Sequence, residues 1–137
     1  MIIGFTGTRQ GMSWLQKQFL RLTLQNICEI GKVNEFHHGG CVGADAEAHQ
    51  IVRQIVPFTI HVHWPENRKY EARLSGPFVS EGRKPYLVRN EDIVKACDLL
   101  IAAPLTDKEQ LRSGTWATIR CARRLGKECL ILTREQS

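Results

Sequence analysis

Short apolar runs alternate along the chain with longer stretches in which apolar residues return every three or four positions. Ile2, Ile3 and Phe5 make Met1–Thr6 a short buried strand, closed by the turn Gly7-Thr8-Arg9-Gln10-Gly11. Ser13 then stands as an N-cap with Gln16 at capping-box spacing, and Trp14, Leu15, Phe19, Leu22 and Ile27 fit one apolar face of a helix over 13–30 that Gly31 stops. Val33–His38 reads as a second strand ending at Gly39-Gly40. Ala44, Ala48, Ile51, Val52 and Ile55 recur at helical spacing over 44–56, and Pro57 ends that helix. Phe58, Ile60 and Val62 alternate with Thr59, His61 and His63, the period of a third strand. Asn90–Ala96 is a short helix, and Asp98–Ala103 is apolar after its first residue, as a central parallel strand should be. Pro104–Arg112 is a polar loop, Thr115–Leu125 a helix with Gly126 as its cap, and Glu128–Thr133 the last strand.

Trp64–Tyr86 breaks the rhythm. It holds Pro65, Gly76, Pro77, Gly82 and Pro85 among many charges, and it reads as a loop or flap over a site, with a short helix near Arg68–Leu74. A disordered bulge is the alternative.

Strand and helix in alternation predict an α/β fold: a single Rossmann-like three-layer domain over 1–137, with a mainly parallel sheet of about five strands and helices on both faces. Right-handed crossovers leave few topologies. Ligands of such sheets sit outside the carboxyl ends of the strands, and the turns after strands one, two and four share that edge.

Composition narrows the class. A chain of 137 residues, 42% hydrophobic, suits one core rather than two. No apolar run approaches the roughly 18 residues that would suggest a membrane span, and the opening residues do not form a secretory signal. The cysteines (Cys28, Cys41, Cys97, Cys121, Cys129) are scattered, five in number and without CxxC spacing, which favours thiols in a reducing, cytoplasmic setting. Net charge is +5, with an isoelectric point of about 9.1. That permits a polyanionic partner without demanding one. The basic residues spread over Arg68–Arg89 and Arg112–Lys127, either as a solvated surface or as a rim that attracts phosphates.

The chemistry-bearing residues cluster at turns. Gly39-Gly40-Cys41-Val42-Gly43-Ala44 leads from a strand into a helix start, where exposed amides and the positive end of the helix dipole favour an anion. Without that helix start it is merely a tight turn. Arg112-Ser113-Gly114-Thr115 repeats the arrangement, unless Ser113 is simply an N-cap. Gly7-Thr8-Arg9 adds hydroxyls and a guanidinium suited to two-point phosphate contact, and Arg89-Asn90 offers another cation and an amide. Asp45, Glu47 and His49 follow the glycine turn. They are candidate catalytic groups; the plainer readings are dipole pairing for the two acids and a packed histidine. At most one of His37 and His38 should face the ligand. His61 and His63 share a strand face, but no third ligand appears at clear spacing, so neither a metal site nor a cofactor is expected. Trp116 either stacks on a base or packs. Cys41 has no helper that would make it a nucleophile.

Taken together, four blocks resemble the SLOG superfamily. This is the Rossmann-like group that contains the core of DNA-processing protein A (Smf) and the Lonely Guy, or lysine-decarboxylase-like, phosphoribohydrolases. The blocks are Gly4-Phe5-Thr6-Gly7-Thr8-Arg9, the stretch from His38 to His49, Arg89-Asn90-Glu91-Asp92-Ile93, and the stretch from Arg112 to Arg123. The second is similar to the Gly-Gly-x-x-Gly-x-Asp-x-x-Ala-His block of DNA-processing protein A. The last is similar to its Ser-Gly-Thr-x-x-Thr-Ala-Arg helix start. The resemblance implies a nucleotide-type ligand held by these turns, and frequent dimerisation. Lonely Guy enzymes carry a glutamate at the position that is Thr118 here, and Arg112-Ser113 replaces their preceding glycines. The expectation is therefore a binder or sensor of a nucleotide or nucleotide-derived phosphate, working as a homodimer. One alternative is an N-glycosidase that releases a base from a nucleoside 5'-monophosphate through Asp45 or Glu47 with His49 and Arg9. The other is a single-stranded nucleic-acid binding module, against which the lack of aromatics among the basic segments counts.

Overall fold

The computed structural model describes residues 1–28, 34–55 and 58–134. Strand β1 (Ile2–Gly7) leads to helix α1 (Trp14–Ile27), β2 (Asn34–His38), α2 (Ala44–Arg53), β3 (Phe58–Pro65), β4 (Val79–Lys84), α3 (Tyr86–Ala96), β5 (Leu99–Ala103), α4 (Gly114–Arg124) and β6 (Glu128–Ile131). The strands form one six-stranded sheet in the order β4-β3-β2-β1-β5-β6. Each neighbouring pair runs parallel. The α/β, Rossmann-like expectation holds, with one strand more than the sequence suggested. The stop expected at Gly31, the strand start at Val33, and Val56 and Pro57 at the end of the second helix lie outside the described residues.

Helices α1 and α2 cover one face. Their Leu20, Leu24, Ala48, Ile51 and Val52 join Ile3, Phe5, Phe36, Ile60 and Val62 of the strands in the larger core. Helices α3 and α4 cover the other, through Ile93, Val94, Cys121 and Ala122 against Leu100 and through Trp116 and Ile119 against Ala102. The reversal of strand order around β1 puts the carboxyl ends of β1, β2 and β5 at one crevice, the switch point of a doubly wound sheet.

The buried stripe of α1 differs from the expected one. Trp14 is 74% exposed, and Phe19 and Leu22 are also exposed, while Gln16, Leu20 and Leu24 are buried. The cause is Gln16. Its side-chain amide donates to the Pro104 and Leu132 carbonyls at 2.9 and 3.1 Å, so a polar residue holds a core position. The capping box itself forms as expected, Ser13 Oγ accepting from the Gln16 amide and Gln16 Oε1 from the Ser13 amide.

The expected loop Trp64–Tyr86 is a second correction. Its first residues prolong β3, 79–84 form β4 and Tyr86 opens α3, and no helix forms at Arg68–Leu74. Every residue of β4 is exposed, so the strand has no apolar alternation to betray it and is held by pairing with β3. Residues 66–78 join these parallel strands without a helix. They lie against the glycine turn: the Val42 amide donates to the Tyr70 carbonyl and the Ala72 amide to the Gly40 carbonyl, both at 2.8 Å, around an antiparallel bridge between Cys41 and Glu71.

Candidate ligand-binding site

A cavity of about 830 Å³ opens at the crevice, within the range of small-molecule sites. The β1–α1 turn contributes Gly7, Thr8 and Arg9, and the β2–α2 turn contributes Gly39, Cys41 and Asp45. The start of α3 brings Tyr86, Arg89 and Asn90. The α4 entry brings Arg112, Ser113, Gly114 and Thr115. Turns far apart in sequence thus converge on one space.

Three guanidiniums, Arg9, Arg89 and Arg112, face this space against one carboxylate, Asp45. Arg89 is 3% exposed. Its Nη1 donates to the Gly39 carbonyl at 2.5 Å and the His63 carbonyl at 3.2 Å, its Nε donates to Asn90 Oδ1, and its face lies over the Tyr86 ring. A Cβ at Gly39 would strike that guanidinium, so any larger residue there must displace Arg89. Arg9 lies over the Tyr70 ring at 3.8 Å. Burial pushes the Asp45 carboxyl up to about 6, against the opposing pull of Arg89 and of the Cys41 and Gly39 amides. Burial also raises the Cys41 thiol and the Tyr86 phenol, so neither is a poised nucleophile. The Tyr70 phenol, at the protein surface, is lowered by its hydrogen bond to Lys69 and the charges of Lys69 and Arg9.

The amides of the glycine turn are not available to an anion as the sequence suggested. The Gly40 amide donates to His38 Nδ1 at 3.0 Å, Cys41 to Asp45 Oδ2 at 3.2 Å, Val42 to Tyr70, and Ala44 to the Thr8 carbonyl at 3.0 Å. Gly40, Gly43 and Ala44 line no part of the cavity. Gly43 instead adopts φ +85° where the Arg9 backbone passes too close for any side chain. The start of α4 is the opposite case. Ser113 caps the Trp116 amide at 3.2 Å, while the Gly114 and Thr115 amides have no acceptor among the described residues.

Glu47 and His49, candidate catalytic groups by sequence, do not line the cavity. Glu47 turns toward α1, accepting from the Met12 amide at 2.6 Å and pairing with Lys17 at 2.9 Å. His49 belongs to a buried relay. The Gly40 amide donates to His38 Nδ1, His38 Nε2 meets His49 Nδ1 at 2.9 Å, and His49 Nε2 meets the Ser75 carbonyl at 2.7 Å. With a donor at one end and an acceptor at the other, the chain fixes both tautomers as neutral, and burial lowers both imidazoles. Trp116 packs in the core and donates its indole N–H to Thr106.

Tyr70, Tyr86, Asn67 and Gln110 also line the cavity. The sequence hinted at the first three only through the proline- and charge-rich stretch read as a flap.

No family model and no curated protein matches the sequence. Solved structures do match its fold. The molybdenum cofactor binding protein of the phototrophic bacterium Rippkaea orientalis superposes with a TM-score of 0.67 at 18% identity, over 95% of this chain and 74% of that one. The molybdenum cofactor carrier protein of Chlamydomonas reinhardtii gives 0.61 at 19% identity, over 96% and 75%. TM1055, a structural-genomics target, gives 0.62 at 18% identity, over 93% and 71%. This chain shares their fold. No helix among the described residues is long and apolar enough to cross a membrane.

Proposed function

We propose that the cavity binds a small ligand that carries a phosphate on a flat heteroaromatic body, a nucleotide or nucleotide derivative first. The observation that carries this reading is the lining itself: three guanidiniums against one carboxylate, beside a helix start with unpaired amides. Arg112, Arg9 and the Gly114 and Thr115 amides would take the phosphate. The Tyr70 and Tyr86 rings would flank the aromatic body, and Asp45 would accept from a ligand hydroxyl or ring N–H. The fold neighbours named for binding or carrying the molybdenum cofactor support a small-ligand site, and the SLOG resemblance supports a nucleotide-type ligand in it. Thr118 lines the cavity where Lonely Guy enzymes place a glutamate, which favours binding over cleavage. Leu87, Val88 and Leu111, exposed close in sequence to lining residues, support a homodimer.

Calorimetric titration with nucleoside monophosphates, a pterin phosphate and inorganic phosphate tests the reading, with chromatography of the same mixtures for released base. Saturable binding without turnover, weakened about tenfold or more in Arg112→Ala, supports it. Base release lost in Asp45→Asn would replace it with N-glycosidic hydrolysis. Retention of single-stranded DNA with a steep salt dependence, and of no mononucleotide, would replace it with the nucleic-acid reading.

A further inference from the structure

A second cluster lies on the sheet away from this cavity. Glu35 and His37 alternate on β2, and the parallel register sets His61 of β3 beside His37. All three side chains therefore leave the sheet on one face, opposite to Phe36 and His38, which enter the α1–α2 side. The His37 and His61 rings stack with centroids 4.4 Å apart and planes 1° apart. Both Nε2 atoms aim at the same oxygen: Glu35 Oε1 lies 2.9 Å from His37 and 3.1 Å from His61.

We propose that Glu35, His37 and His61 form a binding site for a divalent transition metal of the zinc class, with Glu81 and His63 as its outer support. Glu35 Oε1 lies within 3.1 Å of both Nε2 atoms and all three donors fall within 4.8 Å of one another; bonds of roughly 2.0–2.2 Å need donors no more than about 4.4 Å apart, so at most a small closing of the widest separation lets one ion reach all three. The far nitrogen of each ring is also held. His61 Nδ1 meets Glu81 Oε1 at 2.6 Å and His37 Nδ1 meets His63 Nε2 at 2.7 Å, the second partner that orients a metal-bound imidazole. His61 thus faces a carboxylate oxygen from both nitrogens. With a cation held between its Nε2 and Glu35, His61 keeps an Nδ1 proton to donate to Glu81 Oε1. Two imidazoles and one carboxylate select zinc-like ions over calcium or magnesium. His37 is buried while Glu35 and His61 stay partly open, side chains 31% and 18% exposed, so solvent can complete the coordination. None of these residues lines the ligand cavity. The ion would clip β2 to β3 and, through Glu81, to the edge strand β4.

The test is zinc titration of the chelator-treated full chain, followed by calorimetry, thermal denaturation and cobalt(II) substitution. The expected result is one ion per chain, a higher melting temperature, and cobalt bands of nitrogen–oxygen coordination. Glu35→Gln, which conserves volume, and His61→Gln each weaken binding at least tenfold, and Glu81→Gln about 10–100-fold. Circular dichroism of each metal-free variant separates lost binding from lost fold. If a variant misfolds, nitrogen NMR of the unaltered chain decides, because zinc must shift the Nε2 resonances of His37 and His61. Absence of saturable one-to-one binding, binding unchanged in Glu35→Gln, or thiolate-to-cobalt charge-transfer bands would each overturn the proposal.

Discussion

Asp45 is the residue at which charge and burial oppose each other most directly. Its folded value of about 6 stands above its ordinary 3.8. Between those values the unfolded chain releases a proton that the folded chain keeps. This group's contribution to stability is therefore intact below about pH 4, declines as pH rises, and is fully lost above about pH 6, at a cost of about 3 kcal/mol. Urea unfolding of Asp45→Asn against the unaltered chain should show the difference moving in favour of asparagine by about that amount between pH 4 and pH 7. His49 works with the opposite sign. Its lowered value means stability that is present above about pH 6.5 and lost as pH falls. Comparing variant with parent at Asp45 cancels that contribution. Arg89 supports two carbonyls and offsets the Asp45 charge, so Arg89→Ala should cost about 3 kcal/mol and abolish ligand binding. Denaturant melts and calorimetry of the same sample read both effects.

Gln16 is the polar member of the buried stripe of α1, beside Leu20 and Leu24. Replacing it with leucine adds apolar surface at a core position, yet it removes the donor to the Pro104 and Leu132 carbonyls. Gln16→Leu should therefore destabilise by about 2–4 kcal/mol, a fall of about 10 °C in Tm by calorimetry. The same residue shows where sequence and structure part. Helical spacing located α1, and Ser13 with Gln16 marked its start, but a polar residue in the buried stripe shifted the apparent face toward Trp14 and Leu22. The central strands were legible because burial on both sides leaves them apolar. The strand β4 was not, because an edge strand held by backbone pairing needs no hydrophobic pattern. At the site, the turns that carry Gly7, Gly39 and Gly114 could be read from glycines before helix starts, whereas Arg89, expected just ahead of a helix at Asn90, lies in the first turn of α3, which opens at Tyr86. The occupied amides around Gly40 could not, since the Tyr70 carbonyl that takes the Val42 amide comes from a segment with no periodic signal. Glu35 escaped notice because, although it alternates with His37 on β2, only the parallel register brings His61 beside them.

For the whole molecule, ligand and fold are coupled by mass action. A phosphate-bearing ligand at one hundred times its Kd should raise the unfolding free energy by about 2.7 kcal/mol, and the dephosphorylated nucleoside at equal concentration should do much less. Thermal denaturation across the pair measures this directly. Adding salt should narrow the gap, because Arg9 and Arg112 lie at the open side of the cavity.

The connection from Pro65 to Val79 has one consequence for how freely this scaffold can change. Tyr70, Glu71 and Ala72 hold the glycine turn in register through two amide–carbonyl contacts and a bridge, and Tyr70 also carries Arg9 on its ring. Those three positions must stay in step. The exposed residues Arg68 and Lys69 before and Gly76 and Pro77 after can lengthen, shorten or vary, provided the Ser75 carbonyl keeps its bond to His49, so that the outer part of this connection could be rebuilt without unseating the floor beneath it.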